Sequence, residues 1–293
     1  MNHVFKGAGV ALVTPFTKKN EIDYNGLENI VRNQIGGGTD YLVVLGTTAE
    51  TPTLSDEEKL EVVNFIKEKA SGLPVVVGMG GNDTKKILKH IDSFNLEGVS
   101  GLLIVTPYYN KPSQEGMYNH YSEIANASPV PVILYNVPSR TGVNLEADTV
   151  IKLAEFSDKI VAVKEASGDF NQISRIIKCA PGNFSVISGD DAFTLPMIAI
   201  GAKGVISVIA NALPKKLSNL AHSALNENYE SARKQHHELS ELFRLLFKEG
   251  NPAGVKALLN IIGLIDNKLR SPLFPVSRQT YNDISRAYQQ ITR

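Results

Sequence analysis

Lys164 closes a short run of β-branched and small apolar residues, Ile160-Val161-Ala162-Val163. If that run is a barrel strand, the lysine amine stands inside the barrel mouth. Desolvation there disfavours an ammonium, and an uncharged amine can attack a ketone carbonyl. The side chain could instead snorkel to solvent or pair with Glu165. Tyr135 ends the preceding apolar run, and its phenol could carry protons as a carbinolamine forms and loses water. Thr47 and Thr48 add hydroxyls to such a relay. With Leu45-Gly46 before them they also form a turn whose backbone N–H groups could hold a small carboxylate. Arg140 follows Tyr135 in a short loop bounded by Pro138 and Gly142. Its planar guanidinium suits bidentate capture of a substrate carboxylate. Taken singly, a strand-closing tyrosine, a glycine turn and a solvated arginine are all ordinary features.

These residues need a frame that brings strand ends together. From residue 8 onward, short apolar runs alternate with longer amphipathic stretches. The predicted strands are Gly9–Val13, Tyr41–Leu45, Pro74–Gly78, Gly101–Val105, Val132–Tyr135, Ile160–Lys164, Phe184–Ser188 and Gly204–Val208. Each is continuously apolar rather than alternating, as expected of a parallel strand covered on both faces. Helices are predicted between them. Ser55 with Glu58 reads as a capping box, and Asp83 or Thr84, Ser113 and Asp169 open further helices. A strand–helix repeat of roughly 25 to 30 residues, running eight times, matches a closed parallel barrel. A doubly wound open sheet is the competing architecture, but no dinucleotide glycine fingerprint accompanies it. Beyond about residue 225 the strand signal stops, and Tyr229–Glu249, Val255–Ile262 and Ser277–Ile291 read as helices. The expected fold class is α/β: a (β/α)8 TIM barrel over residues 1–225, with a C-terminal helical appendage at 226–293 packed on it rather than folding independently.

Composition narrows the function. The 293 residues carry 30 basic and 30 acidic side chains, mixed along the chain. Such a surface offers no electrostatic footprint for nucleic acid or an anionic membrane. The single cysteine, Cys179, excludes an intramolecular disulfide and a thiolate metal cluster, and a cytoplasmic setting fits. The early apolar stretch from Gly7 to Val13 is too short to span a membrane. Gly78-Met79-Gly80-Gly81 lacks the Gly-Lys-Ser/Thr of a phosphate loop, and Gly36-Gly37-Gly38 precedes a strand instead of following one. The six histidines, His120 among them, fall outside the strand ends and read as solvated or capping residues. No metal-ligating cluster is visible at the mouth, so the chemistry falls to the amine, with no metal or organic cofactor.

Five ordered motifs then mark a family. They are Leu45-Gly46-Thr47-Thr48, Thr106-Pro107-Tyr108-Tyr109-Asn110-Lys111-Pro112, Tyr135-Asn136-Val137-Pro138-Ser139-Arg140-Thr141-Gly142, Val163-Lys164-Glu165-Ala166-Ser167-Gly168-Asp169 and Ser188-Gly189-Asp190-Asp191. Over essentially its whole length the chain resembles the dihydrodipicolinate synthase family, within the pyruvate-dependent class I aldolases that include the N-acetylneuraminate lyases.

The resemblance implies a lyase that joins pyruvate to L-aspartate 4-semialdehyde, giving 4-hydroxy-tetrahydrodipicolinate in lysine and diaminopimelate biosynthesis. It implies Lys164 as the Schiff-base lysine, and Thr47, Tyr135 and a Tyr109 lent by a neighbouring subunit as the proton relay. The Gly46–Thr48 backbone would hold the pyruvate carboxylate and Arg140 that of the aldehyde. Gly189 and Ile206 would line the pocket near Lys164. A homotetramer of two tight dimers is implied, as the borrowed tyrosine requires. Another pyruvate aldolase of the family, acting on N-acetylneuraminate or a keto-sugar acid, is the nearest alternative, but a neutral sugar aldehyde would not call for Arg140. A catalytically silent barrel serving in assembly is the alternative of a different class. Two departures stand out. Ala49 occupies a position where glycine is common, and the site where lysine inhibits regulated members carries Thr51, Pro52, Asp56, Lys59 and Lys86 beside matching Asn82 and Tyr108. Two cationic side chains near a cationic ligand imply weak or absent feedback by lysine.

Overall fold

The computed structural model describes residues 5–292. Eight parallel strands close in sequence order: β1 Gly7–Ala11, β2 Tyr41–Val44, β3 Val75–Gly78, β4 Gly101–Val105, β5 Val132–Asn136, β6 Ile160–Glu165, β7 Ser185–Ser188 and β8 Gly204–Ser207. β1 begins and ends two residues earlier than the sequence pattern predicts, because Gly7–Val10 pair with Gly204–Ser207 and Val13 leaves the ladder. Val13 N–H donates to the Asn211 side chain instead, at 3.0 Å.

Helices cover the outside: α1 Tyr24–Gly36, α2 Asp56–Lys69, α3 Thr84–Ser93, α4 Gln114–Ala127, α5 Pro138–Thr141, α6 Ala147–Phe156, α7 Phe170–Cys179, α8 Thr194–Ala199 and α9 Pro214–Leu225. The predicted N-caps Ser55, Asp83, Ser113 and Asp169 all accept backbone N–H bonds, and Ser55 with Glu58 completes the capping box. Three more helices follow: α10 Tyr229–Phe247, α11 Ala253–Ile261 and α12 Arg278–Thr292. α10 lies along α9, and α12 packs on α10 and α11.

The continuously apolar strands sort their side chains onto two faces with a period of two. Val43, Leu103, Ile133, Ala162, Ile187 and Ile206 meet inside the barrel, where Phe5 and Tyr41 also pack. Val44, Leu102, Leu134, Val163, Val186 and Val205 join the layer between strands and helices. This alternation decides which way each strand-end residue faces.

His120 is not the solvated histidine expected of its helical stretch. It is 4% exposed, lies edge-on to Tyr121, and its Nδ1 is 2.7 Å from the Thr84 hydroxyl. Burial pushes it down from 6.5 to about 4. As pH falls, the unfolded chain therefore takes up this proton before the folded one does. The site's stabilisation is complete above about 6.5 and is lost as pH falls towards about 4, a change of up to about 3 kcal/mol. In scanning calorimetry, His120→Gln should lose melting temperature less steeply than the parent between those two values. Parallel slopes would show that His120 does not govern this acid loss.

Candidate active site

Lys164 lies one residue from the end of β6, on the face of Ala162, inside the barrel. It is 5% exposed. Parallel pairing sets Lys164 beside Tyr135 on β5 and Ile187 on β7. Its Nζ stands 4.3 Å from the centroid of the Tyr135 ring. Among the described residues no carboxylate lies within ion-pair distance of this amine.

The neighbouring Glu165 points the other way, so the pairing considered from sequence does not form. Its carboxylate accepts from Asn136 Nδ2 at 3.1 and 3.2 Å, from Gln172 Nε2 at 3.0 Å and from Ser167 N–H at 2.7 Å. Burial pushes Glu165 up despite these donors. Asn136 continues β5 and also accepts from Leu145 N–H at 2.9 Å, so β5 and β6 are tied behind the Tyr135–Lys164 pair.

Gly189 follows β7, and its N–H donates to Glu165 O at 2.8 Å. A Cβ built on Gly189 would sit 3.3 Å from Lys164 Cε and 2.8 Å from Ala166 Cβ, so only a hydrogen leaves this wall of the mouth open. Ile206 on β8 packs into the barrel interior and is buried. Beyond it, Asp191 accepts from Val208 N–H at 3.1 Å and Ile209 N–H at 2.8 Å, which holds the loop after β8. Burial pushes Asp191 up to about 6.

The predicted turn after β2 is a 3-10 turn over Thr47–Ala49, entered from extended Gly46. Leu45 adopts a left-handed φ of 56°, and its carbonyl abuts Gly78, where a Cβ would lie 2.2 Å away. Thr48 is buried, and its Oγ1 accepts from Asn251 Nδ2 at 3.0 Å. Neither the Thr47 hydroxyl nor the Tyr135 hydroxyl has a hydrogen-bond partner among the described residues. Arg140 stands in the short helix α5 rather than in a loop, and Gly142 ends that helix with φ 74°. Its Nη2 donates to Asn251 O at 3.4 Å. Tyr109, with φ 74°, is 85% exposed and does not enter its own barrel mouth.

The structure thus gathers Lys164, Tyr135, Gly189 and Ile206 directly, and links Thr48 to Arg140 through Asn251. The sequence pattern gave no sign of Asn251. It stands in the break between α10 and α11, and only its Gly250-Asn251-Pro252 setting marks a turn. Its side chain is buried with Oδ1 unpartnered. Among the described residues no group of three His, Cys, Asp or Glu side chains converges to hold a metal ion.

Known proteins resemble the chain over nearly its whole length. A curated 4-hydroxy-tetrahydrodipicolinate synthase from Parabacteroides distasonis is 51% identical over 288 residues, covering 98% of this chain and 97% of that one. The crystal structure of dihydrodipicolinate synthase from Thermotoga maritima superposes with a TM-score of 0.96 at 40% identity, covering 99% of both chains. A monomeric dihydrodipicolinate synthase variant gives 0.96 at 40% identity, covering 99% of this chain and 97% of its own. The family model described as the Dihydrodipicolinate synthetase family matches residues 4–291, and the chain belongs to that family.

Proposed function

We propose that the protein condenses pyruvate with L-aspartate 4-semialdehyde through an imine on Lys164, releasing 4-hydroxy-tetrahydrodipicolinate for lysine and diaminopimelate biosynthesis. The observation that carries this reading is a buried amine, facing a phenol and outside ion-pair reach of any described carboxylate, in a chain of this family. An amine so placed has no carboxylate beside it to compete with a carbonyl carbon.

In this reading, Lys164 Nζ adds to the keto carbon of pyruvate while the Gly46–Thr48 backbone and the Thr48 hydroxyl hold its carboxylate. Tyr135, with Thr47, passes a proton to the carbinolamine oxygen, and water leaves to give the imine. Loss of a methyl proton gives the enamine, whose carbon attacks the aldehyde. Arg140 holds the aldehyde's carboxylate at the rim. The substrate's own amino group then attacks the imine carbon and expels Lys164. The covalent lysine supplies the electron sink, so the sequence of steps needs no metal or organic cofactor.

Tyr109 supports an oligomeric reading, because an aromatic side chain 85% exposed on its own subunit is free to complete a neighbour's relay. We infer a cytoplasmic homotetramer built from two tight dimers, with residues 226–293 working as part of the barrel rather than as a separate domain. Among the described residues no helix is long and apolar enough to cross a membrane.

Borohydride reduction in the presence of pyruvate should add one reduced pyruvyl mass to the peptide carrying Lys164, and none to Lys164→Ala. An unmodified Lys164 in the parent protein would overturn the mechanism. Arg140→Ala should raise the KM for the aldehyde and lower kcat/KM about 100-fold, as expected for loss of a charged contact. An unchanged value would favour an aldolase that takes a neutral aldehyde. In the same steady-state assay L-lysine should inhibit weakly or not at all, since Lys86 brings positive charge beside Asn82 and Tyr108 while Lys59 is already paired with Asp56 at 2.8 Å. Micromolar inhibition would show that this charge does not oppose binding.

A further inference from the structure

The C-terminal helices place a cation beneath the turn that follows β2. Lys256 on α11 and Glu50 form an ion pair at 2.5 Å, and both side chains are fully buried. Glu50 stands two residues after Thr48, in a left-handed backbone with φ 55°. Its N–H donates to Thr47 O at 3.3 Å, so its backbone closes the turn that carries both threonines. The other Glu50 oxygen accepts from Arg270 N–H at 2.9 Å.

Each partner is held from further sides. Lys256 Nζ donates to Lys268 O at 2.9 Å and lies 4.2 Å from the centroid of the Phe16 ring. The Arg270 guanidinium covers the same ring at 4.4 Å and donates to Thr53 O at 2.9 Å and to both Glu58 oxygens, at 2.7 and 2.6 Å. Residues 46–54 are therefore clamped by two segments more than 200 positions away in the chain. Asn251, five residues before Lys256, adds the bond to Thr48.

A fully buried ion pair contributes little stability compared with well-packed apolar side chains of the same volume. Burial pushes the Lys256 amine down to about 8 against the opposing pull of Glu50, so the charge is placed at a cost. What the pair supplies that apolar packing would not is direction. A carboxylate held by an ammonium on one oxygen and by a backbone N–H on the other admits one position of the turn.

We propose that the buried Glu50–Lys256 pair positions the Gly46–Thr48 turn, and so sets how tightly the keto acid is held without touching it. This rests on the reading of that turn as the carboxylate site. Glu50 and Lys256 are positioning residues, and the C-terminal helices thereby become part of the active site.

The test uses the full chain and two variants. Glu50→Gln/Lys256→Met replaces the pair with neutral side chains of similar shape. Glu50→Asp keeps both charges but draws the carboxylate back by one methylene, and serves if the double variant does not fold. Thermal melting confirms folding, and borohydride trapping on Lys164 is titrated with pyruvate alongside steady-state kinetics. The half-saturating pyruvate concentration should rise about tenfold in both measurements, while the KM for the aldehyde moves less than about twofold. A merely structural pair would lower the melting temperature and the active fraction but leave the pyruvate dependence unchanged, and that result overturns the proposal. If the parent protein traps no pyruvate at Lys164, the reading of the site itself falls. Trapping in the parent with unaltered half-saturation in a folded variant removes only the positioning role.

Discussion

The contact between the Lys164 amine and the Tyr135 ring is the interaction around which the barrel mouth is arranged. The ring face presents no acceptor oxygen to the nitrogen, so this contact places the amine without forming an ion pair. A carboxylate in the same place would hold the amine more strongly and occupy it. The position is therefore maintained by the strand and not by a charge partner. Pairing of Tyr135 with Lys164 across β5 and β6 fixes the two side chains on one face, and the Asn136–Glu165 bonds on the opposite face keep that register.

Keeping the amine unpaired requires the acidic groups nearby to be engaged elsewhere. Three buried carboxylates stand close to the strand ends, and each has its own donors. Glu50 meets Lys256 and Arg270, Glu165 meets Asn136, Gln172 and Ser167, and Asp191 meets the Val208 and Ile209 N–H groups. Losing the donors of any one would leave a buried carboxylate unsatisfied, at a cost of about 1–3 kcal/mol or more. The same bonds tie loops after β2, β6 and β8 to the barrel. The acidic ring thus serves as a brace around the mouth while leaving its centre to the amine.

Much of this was legible in the chain itself. All eight strands were readable from apolar runs, because a parallel strand buried on both faces is apolar along most of its length and turns polar chiefly at its ends. The N-caps at Ser55, Asp83, Ser113 and Asp169 were readable because capping is a contact between residues two or three apart. The misplacement of β1 by two residues has a distant cause, because its partners lie about 200 positions away. Leu12 and Val13 are as apolar as the strand, yet the pairing with β2 ends at Ala11 and Val13 turns to Asn211. Arg140 was expected in a loop, since the four residues Pro138–Thr141 are too few to show helical periodicity.

The amino-acid sequence by itself determined the eight-unit barrel and its helical caps, since the first follows from a repeat of apolar runs and amphipathic stretches along the chain and the second from contacts within one helical turn. Only the tertiary structure decided that Lys164 points into the barrel while Glu165 turns away from it, that His120 is buried, and that Asn251, Lys256 and Arg270 reach the turn after β2. Those contacts join residues that no repeat or spacing relates. Closing a barrel brings chain segments together by geometry in space, and a side chain's partner across it leaves no periodic trace in the sequence.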